Sequence, residues 1–537
     1  MPPSHAAPGS GQPPSPTLSP LLDHALRQTV RRYRAPVLPE SLDDARVRGP
    51  ATALSVAIEH AREALAAGST PADAVRTLFL NALARLIEEA MRPLKERGDD
   101  GGGGNGGNGG NRGSGGNRGS DGNRGNGGNG GNGCIDGWGD PALQAMVLRH
   151  RSPVVREYAS LSAHVERDRR AVRAAVNALA HPEKTQRRSP GSTREALLAL
   201  HAAAAASDWT RVSDVIAALR QAPDVRAEDL LHRGLERLSA EAALTRLRRL
   251  DSVSSDPLVT RYRALWDRRG PVAGSEQAAA SGADAQHRGD AVETLATEAL
   301  GALVIRMNAE AGTSRYRVAS SLRIPASFPG DAQRAKSEWD VALLRRHDGD
   351  VVTGLGDVVT GLGEVTAEIG EVVTGIGEDW DLCLLVEAKA SPDAATTDLP
   401  RLLRGLRLLA QADIDTTYGF ASNDGEVRLR GASLSALPTE EGALARAVLY
   451  CCDGPEERTP RLLNAASRMQ LLSAEASLDF AGLLEDGAPA DPQLLSPVWR
   501  LLLESPAFTS VLRQYVTLRA VRELMVHPRD LLAAAQA

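Results

Sequence analysis

Lysine is nearly absent from this chain. Lys95, Lys184, Lys336 and Lys389 are the only four in 537 residues, and arginine carries almost all of the positive charge. Cysteine is equally scarce. Cys134, Cys383, Cys451 and Cys452 include no CxxC pair with a matching partner downstream, which excludes a readable structural zinc site or disulfide framework. Aromatic residues make up only 3% of the chain, so its cores must be built from plain aliphatic side chains. No apolar run reaches the roughly eighteen residues a membrane span needs. The start, Met-Pro-Pro-Ser-His, lacks a basic-then-apolar leader pattern, and the cytoplasm is the expected compartment. A net charge of -6 rules out a global polycation, so any nucleic acid would be held by local patches. There is no GxxxxGK[ST] loop, no GxSxG elbow and no HExxH helix, which sets aside ATP motors, serine hydrolases and zincins. A barrel of eight alternating strands and helices is also excluded, because only residues 289–453 alternate in that way.

What is present divides the chain into segments. Residues 1–18, rich in Pro, Ser and Gly, read as disordered. Residues 19–99 carry helical apolar spacing, with Pro71 suited to a first helical turn. Residues 100–134 contain almost only glycine and asparagine, have nothing apolar to bury, and read as a flexible tether. Three arginines without an aromatic are a poor match to an RNA-binding tail. Residues 135–268 return to helices punctuated by Pro182, Gly191 and Pro223, an array without a clean repeat period. Arg167, Arg169, Arg170 and Arg173 crowd one of these helices. They read either as a solvated face balanced by Glu166 and Asp168 or as phosphate contacts. Residues 269–288 read as a second linker, and 454–537 as a helical tail.

Between these, residues 289–453 change pattern. The spacing predicts a helix over 291–307, strands over 316–324, 338–344 and 380–389, a helix over 399–412, and strands over 427–430 and 446–451. Residues 351–378 are four near-identical heptads, beginning Val-Val-Thr-Gly-Leu-Gly-Asp. Their glycines and β-branched residues argue against a coiled coil, and they read as a duplicated insertion at a hairpin tip. Without them, the second and third strands lie one ordinary hairpin apart.

That hairpin carries the chemistry. Side chains alternate along a strand, so Cys383, Leu385, Glu387 and Lys389 share one face. If the two strands pair antiparallel, Asp340 stands beside Glu387. Two converging carboxylates form an oxygen-rich cage suited to Mg²⁺, with Mn²⁺ as its substitute, and they repel each other unless a cation intervenes. Lys389 could orient or help deprotonate an attacking water and offset transition-state charge. A third acidic group is expected from the preceding helix, with Glu298 the best candidate and Glu293 and Glu310 weaker ones.

An aspartate on the second strand and the triplet Glu387-Ala388-Lys389 on the third resemble the motif of the PD-(D/E)xK nuclease superfamily. In place of the proline that often precedes the aspartate, this chain has Glu338-Trp339. The resemblance covers only 289–453. It implies an α/β mixed-sheet restriction-endonuclease-like core, which with the spacing read on either side makes a multidomain chain with an all-α N-terminal half and a helical C-terminal tail. It further implies Mg²⁺-dependent phosphodiester cleavage, usually of DNA, with Asp340 and Glu387 on the metal. Arg401, Arg404 and Arg407 recur every three residues on the next helix and read as backbone contacts to nucleic acid or as a solvated face. Gln411, Tyr418 and Ser422 could line the site, or Tyr418 could be a core aromatic. The competing reading is a helical interaction scaffold, with a partner protein on the N-terminal helices and a degenerate, non-catalytic nuclease-like domain. Sequence preference and oligomeric state are not legible.

Overall fold

The computed structural model describes residues 20–93, 139–269, 276–331, 335–347, 378–455 and 461–537. The N-terminal segment 1–18, the Gly/Asn-rich tether and heptad residues 351–377 lie outside the described residues. The chain divides into two compact units. One comprises Met1–Ala82, Glu276–Gln470 and Arg500–Ala537, and the other Leu83–Ser275 and Leu471–Trp499.

Among the described residues the first unit is built on seven strands: β1 (Tyr316–Arg323), β2 (Glu338–Arg346), β3 (Asp379–Lys389), β4 (Thr417–Ser422), β5 (Gly425–Arg430), β6 (Val448–Cys452) and β7 (Met525–Val526). β1, β2 and β3 form an antiparallel meander, and β4 and β5 form a tight hairpin turned at Gly425, whose φ of 104° suits glycine. β3 is long enough to divide its remaining edge between two parallel partners. Asp379 and Trp380 pair with β5, whereas Leu385 to Lys389 pair with β6. β4 returns to β1 through Arg323↔Ala421, and the Asn423 N–H donates to Ser320 O at 3.0 Å.

The ring β2-β1-β4-β5-β3-β2 therefore closes into a five-stranded barrel, with β6 and β7 extending from β3 outside it. This corrects the expected fold class. The nuclease resemblance implied an open mixed sheet, and these strands close instead. The decisive contacts are the fork of β3 and the β4 pairing, made by a strand that the apolar pattern did not announce. The expectation of largely helical chain before and after the sheet agrees with the structure.

β2 and β3 are apolar on both faces, which is why they read as continuous hydrophobic runs. Ala342, Leu344, Leu382 and Leu385 join the inner core, which also takes in Trp339, Phe420 and Leu429 and the underside of the crossover helix Pro392–Leu409. Val341, Leu343, Leu384 and Val386 face the opposite core, formed with Val292, Leu300 and Leu303 of the long helix Glu276–Ala311 and with Leu22 and Leu26 of the N-terminal helix Pro20–Gln28. The long helix begins within the 269–288 segment. The crossover helix starts cleanly because Ser391 accepts the Ala394 N–H and Pro392 occupies its first turn.

The second unit is helical. Several of its helices start at proline behind a polar cap, as at Asp140-Pro141 and Ser152-Pro153. Val172, Leu200, Trp209, Ile216, Leu235 and Leu247 belong to one continuous apolar core. At its side lies Asp168, only 2% exposed, gripped by both arms of Arg246 at 2.7 Å each.

Candidate functional site

β2 and β3 pair antiparallel in the register Val341↔Val386. This places Asp340 and Glu387 at the same end of the hairpin. The Asp340 carboxylate accepts the Ala388 N–H at 2.8 Å, so it is tied to the neighbouring strand's backbone. Glu387 is 0% exposed. Its Oε2 receives two ammonium groups, Lys336 Nζ at 2.6 Å and Lys389 Nζ at 3.0 Å. Lys389 also stands 3.5 Å from Asp398 Oδ2 on the crossover helix. Tyr450, opposite Glu387 on β6, is fully buried and faces the same carboxylates.

The electrostatics follow from this burial. Desolvation pushes the Glu387 carboxyl up to about 7; Lys336 and Lys389 pull against that, while Asp340 and Asp398 add to it. Burial draws the Lys389 ammonium down, but Glu387, Asp398 and Asp340 together hold it above the usual lysine range. Burial, then the Asp398 and Glu387 charges, raises the Tyr450 phenol well above its ordinary value. No described group makes a well-formed hydrogen bond to the Tyr450 hydroxyl or to Glu387 Oε1.

The structure thus brings together Asp340, Glu387 and Lys389. It leaves Glu298 exposed on the long helix. Glu293, five residues earlier, is the acidic residue that approaches: burial and the Asp340 charge raise its carboxyl, and it accepts from Ser321 Oγ at 3.4 Å. Ser321 itself has a φ of 51°, a left-handed conformation rare for a non-glycine residue within a strand. Glu310 pairs with Arg306 at 3.9 Å. Arg401, Arg404 and Arg407 are exposed along one face of the crossover helix. Tyr418 packs on Phe328 with ring centroids 4.7 Å apart, and its hydroxyl accepts the Asp413 N–H, which fits its reading as a core aromatic. Ser422 donates to Gly425 O in the hairpin turn, and Gln411 is exposed beyond the crossover helix.

Several arginines of the helical unit are engaged within it. Arg169 pairs with Glu166 at 2.7 Å, and Arg173 donates to Ala204 O and Ser207 Oγ at a helix C-terminus.

Three members of the cluster were not found by the strand-and-motif reasoning: Lys336, Asp398 and Tyr450. Only Lys336 carried a signal, its rarity. Asp398 and Tyr450 sit on elements whose distance from β3 is set by the crossover, which local spacing does not encode.

As described, the charge of Glu387 is met by ammonium groups and not by a set of metal ligands. The buried oxygen best placed to ligate a divalent cation already takes two ammonium groups, and among the described residues no group of three or more His, Cys, Asp or Glu is placed to hold a metal. Together with the closed barrel, this corrects the description of the domain as a magnesium nuclease of the PD-(D/E)xK type. Comparison with protein families, curated proteins and solved structures finds no match for this chain.

Proposed function

We propose that this chain is an interaction scaffold, in which a helical unit offers the binding surface and the barrel unit is a non-catalytic support. What carries the reading is the state of Glu387. A carboxylate that is 0% exposed and held by two lysines is a structural group, out of reach of a substrate. The helical unit supports it from the other side. Its arginine-rich helix directs Arg169 and Arg173 to partners within the unit, so its surface is not a simple polyanion track. Cys383, Cys451 and Cys452 are free thiols, and among the described residues no helix is long and apolar enough to cross a membrane. We place the protein in the cytoplasm, where thiols stay reduced.

The test is incubation of the purified chain with linear, circular and single-stranded DNA in Mg²⁺, Mn²⁺ or EDTA. The scaffold reading expects no metal-dependent cleavage, together with a partner complex that survives Asp340→Ala and Lys389→Ala. Metal-dependent cleavage abolished by those two substitutions would replace it with phosphodiester hydrolysis at the Asp340–Glu387–Lys389 cluster.

A further inference from the structure

We propose that Lys336 is a built-in cation, whose ammonium fills the position beside Glu387 that a divalent metal would otherwise take. The proposal goes beyond the scaffold reading and stands or falls separately from it. Four observations carry it. Lysine is nearly absent from the chain, yet two of its four lysines end on one carboxylate oxygen. An ammonium is a compact point charge, whereas the planar guanidinium that this chain uses elsewhere needs a wider slot. Lys336 is only 5% exposed, and its Nζ stands 2.6 Å from Glu387 Oε2.

The seat is also built for it. Gly405 of the crossover helix lies directly against Lys336, and a Cβ there would come within 2.9 Å of both the Lys336 Cβ and its carbonyl oxygen. The carboxylate, finally, is turned to one side. Glu387 Oε2 receives both ammonium groups, while the equally buried Oε1 has no hydrogen-bond partner among the described residues. Around this point Glu387, Asp340 and Asp398 face Lys336 and Lys389. As they stand, no three of these carboxylates are placed together to hold a metal, but removal of Lys336 leaves three carboxylates with one ammonium, an imbalance that draws them toward the vacated position around a hard, oxygen-seeking divalent cation.

The experiment is a Mn²⁺ titration of the full chain followed by electron paramagnetic resonance. The parent should show no Mn²⁺ binding that Glu387→Gln removes. Lys336→Met should gain one site, tighter than any residual binding by about tenfold or more, and the gain should vanish in the Lys336→Met, Glu387→Gln double variant. Parent binding lost in Glu387→Gln would overturn the proposal, as would a folded Lys336→Met protein with no gain. Should that variant not fold, the parent decides. With ¹⁵N-lysine labelling and Lys95→Arg and Lys184→Arg used for assignment, the two remaining Nζ signals should stay sharp when Mn²⁺ is added. Broadening of those signals overturns the proposal. Glu387-dependent Mn²⁺ binding by the parent, without cleavage, would sink it while leaving the scaffold reading in place.

Discussion

Glu387 combines full burial, two ammonium partners and two neighbouring carboxylates, and its titration should be visible in the stability of the whole protein. Its folded-state pKa, about 7, lies above the ordinary value of 4.5. Between those values the folded state binds more protons than the unfolded state, so this group's contribution to stability falls as pH rises through the window. Glu293, also raised, adds a slope of the same sign. Urea midpoints measured at about pH 5 and about pH 8 should therefore differ in the parent, with the lower pH more stable with respect to these groups. In Glu387→Gln that difference should shrink, and an unchanged slope would show that Glu387 titrates normally. Lys336→Met tests the pair from the other side. Leaving a buried carboxylate with one partner fewer should cost about 3 kcal/mol, read from the shift in urea midpoint at neutral pH.

At the scale of elements, the crossover helix Pro392–Leu409 is set by a single missing side chain. Gly405 lies mid-helix, where alanine would ordinarily be better by roughly 1 kcal/mol. Here an added methyl would press on Lys336 and come within 3.2 Å of Trp339 Cζ2. Overpacking of that kind costs about 1–3 kcal/mol. Gly405→Ala should thus lower the melting temperature despite its higher helix propensity, whereas a rise would mean that the helix can move off without loss. β3 shows a second element-level effect. One strand serves β5 with its first residues and β6 with its last, and this fork lets the ring close while β6 remains outside it.

For the whole molecule, the two units have separate apolar cores, and in each a buried carboxylate, Glu387 or Asp168, is held by basic side chains that can be tested on their own. In the helical unit the Arg246 bond, above all, holds the Asp168 carboxyl below the usual carboxylate range. Its contribution is present above the ordinary Asp pKa and is lost as pH falls through the lower, folded value, opposite in sign to that of Glu387. Arg246→Ala should accelerate amide exchange in helices Val165–Ala180 and Ala242–Ser254, and leave β2 and β3 protected as in the parent. Faster exchange in β2 and β3 as well would show that the cores unfold together.

The sequence alone determined the strands of the β2–β3 hairpin, the helices before and after them, and the end of the hairpin where Asp340, Glu387 and Lys389 gather. These features depend on spacing within a few residues, with alternation along a strand and caps at helix starts. Tertiary structure decided that the sheet closes, because closure depends on which edge of β3 is shared and on β4 reaching β1. It likewise decided that Glu293 rather than Glu298 approaches Asp340, since the five-residue step between them turns the side chain about 140° around the helix axis, from solvent toward the sheet. It also brought Lys336 from the segment before β2, Asp398 from the crossover helix and Tyr450 from β6 to Glu387. The physical reason is that desolvation belongs to the assembled core. A carboxylate and an ammonium two residues apart look like a reactive pair in sequence. Only the packed structure shows that a second ammonium has already joined them.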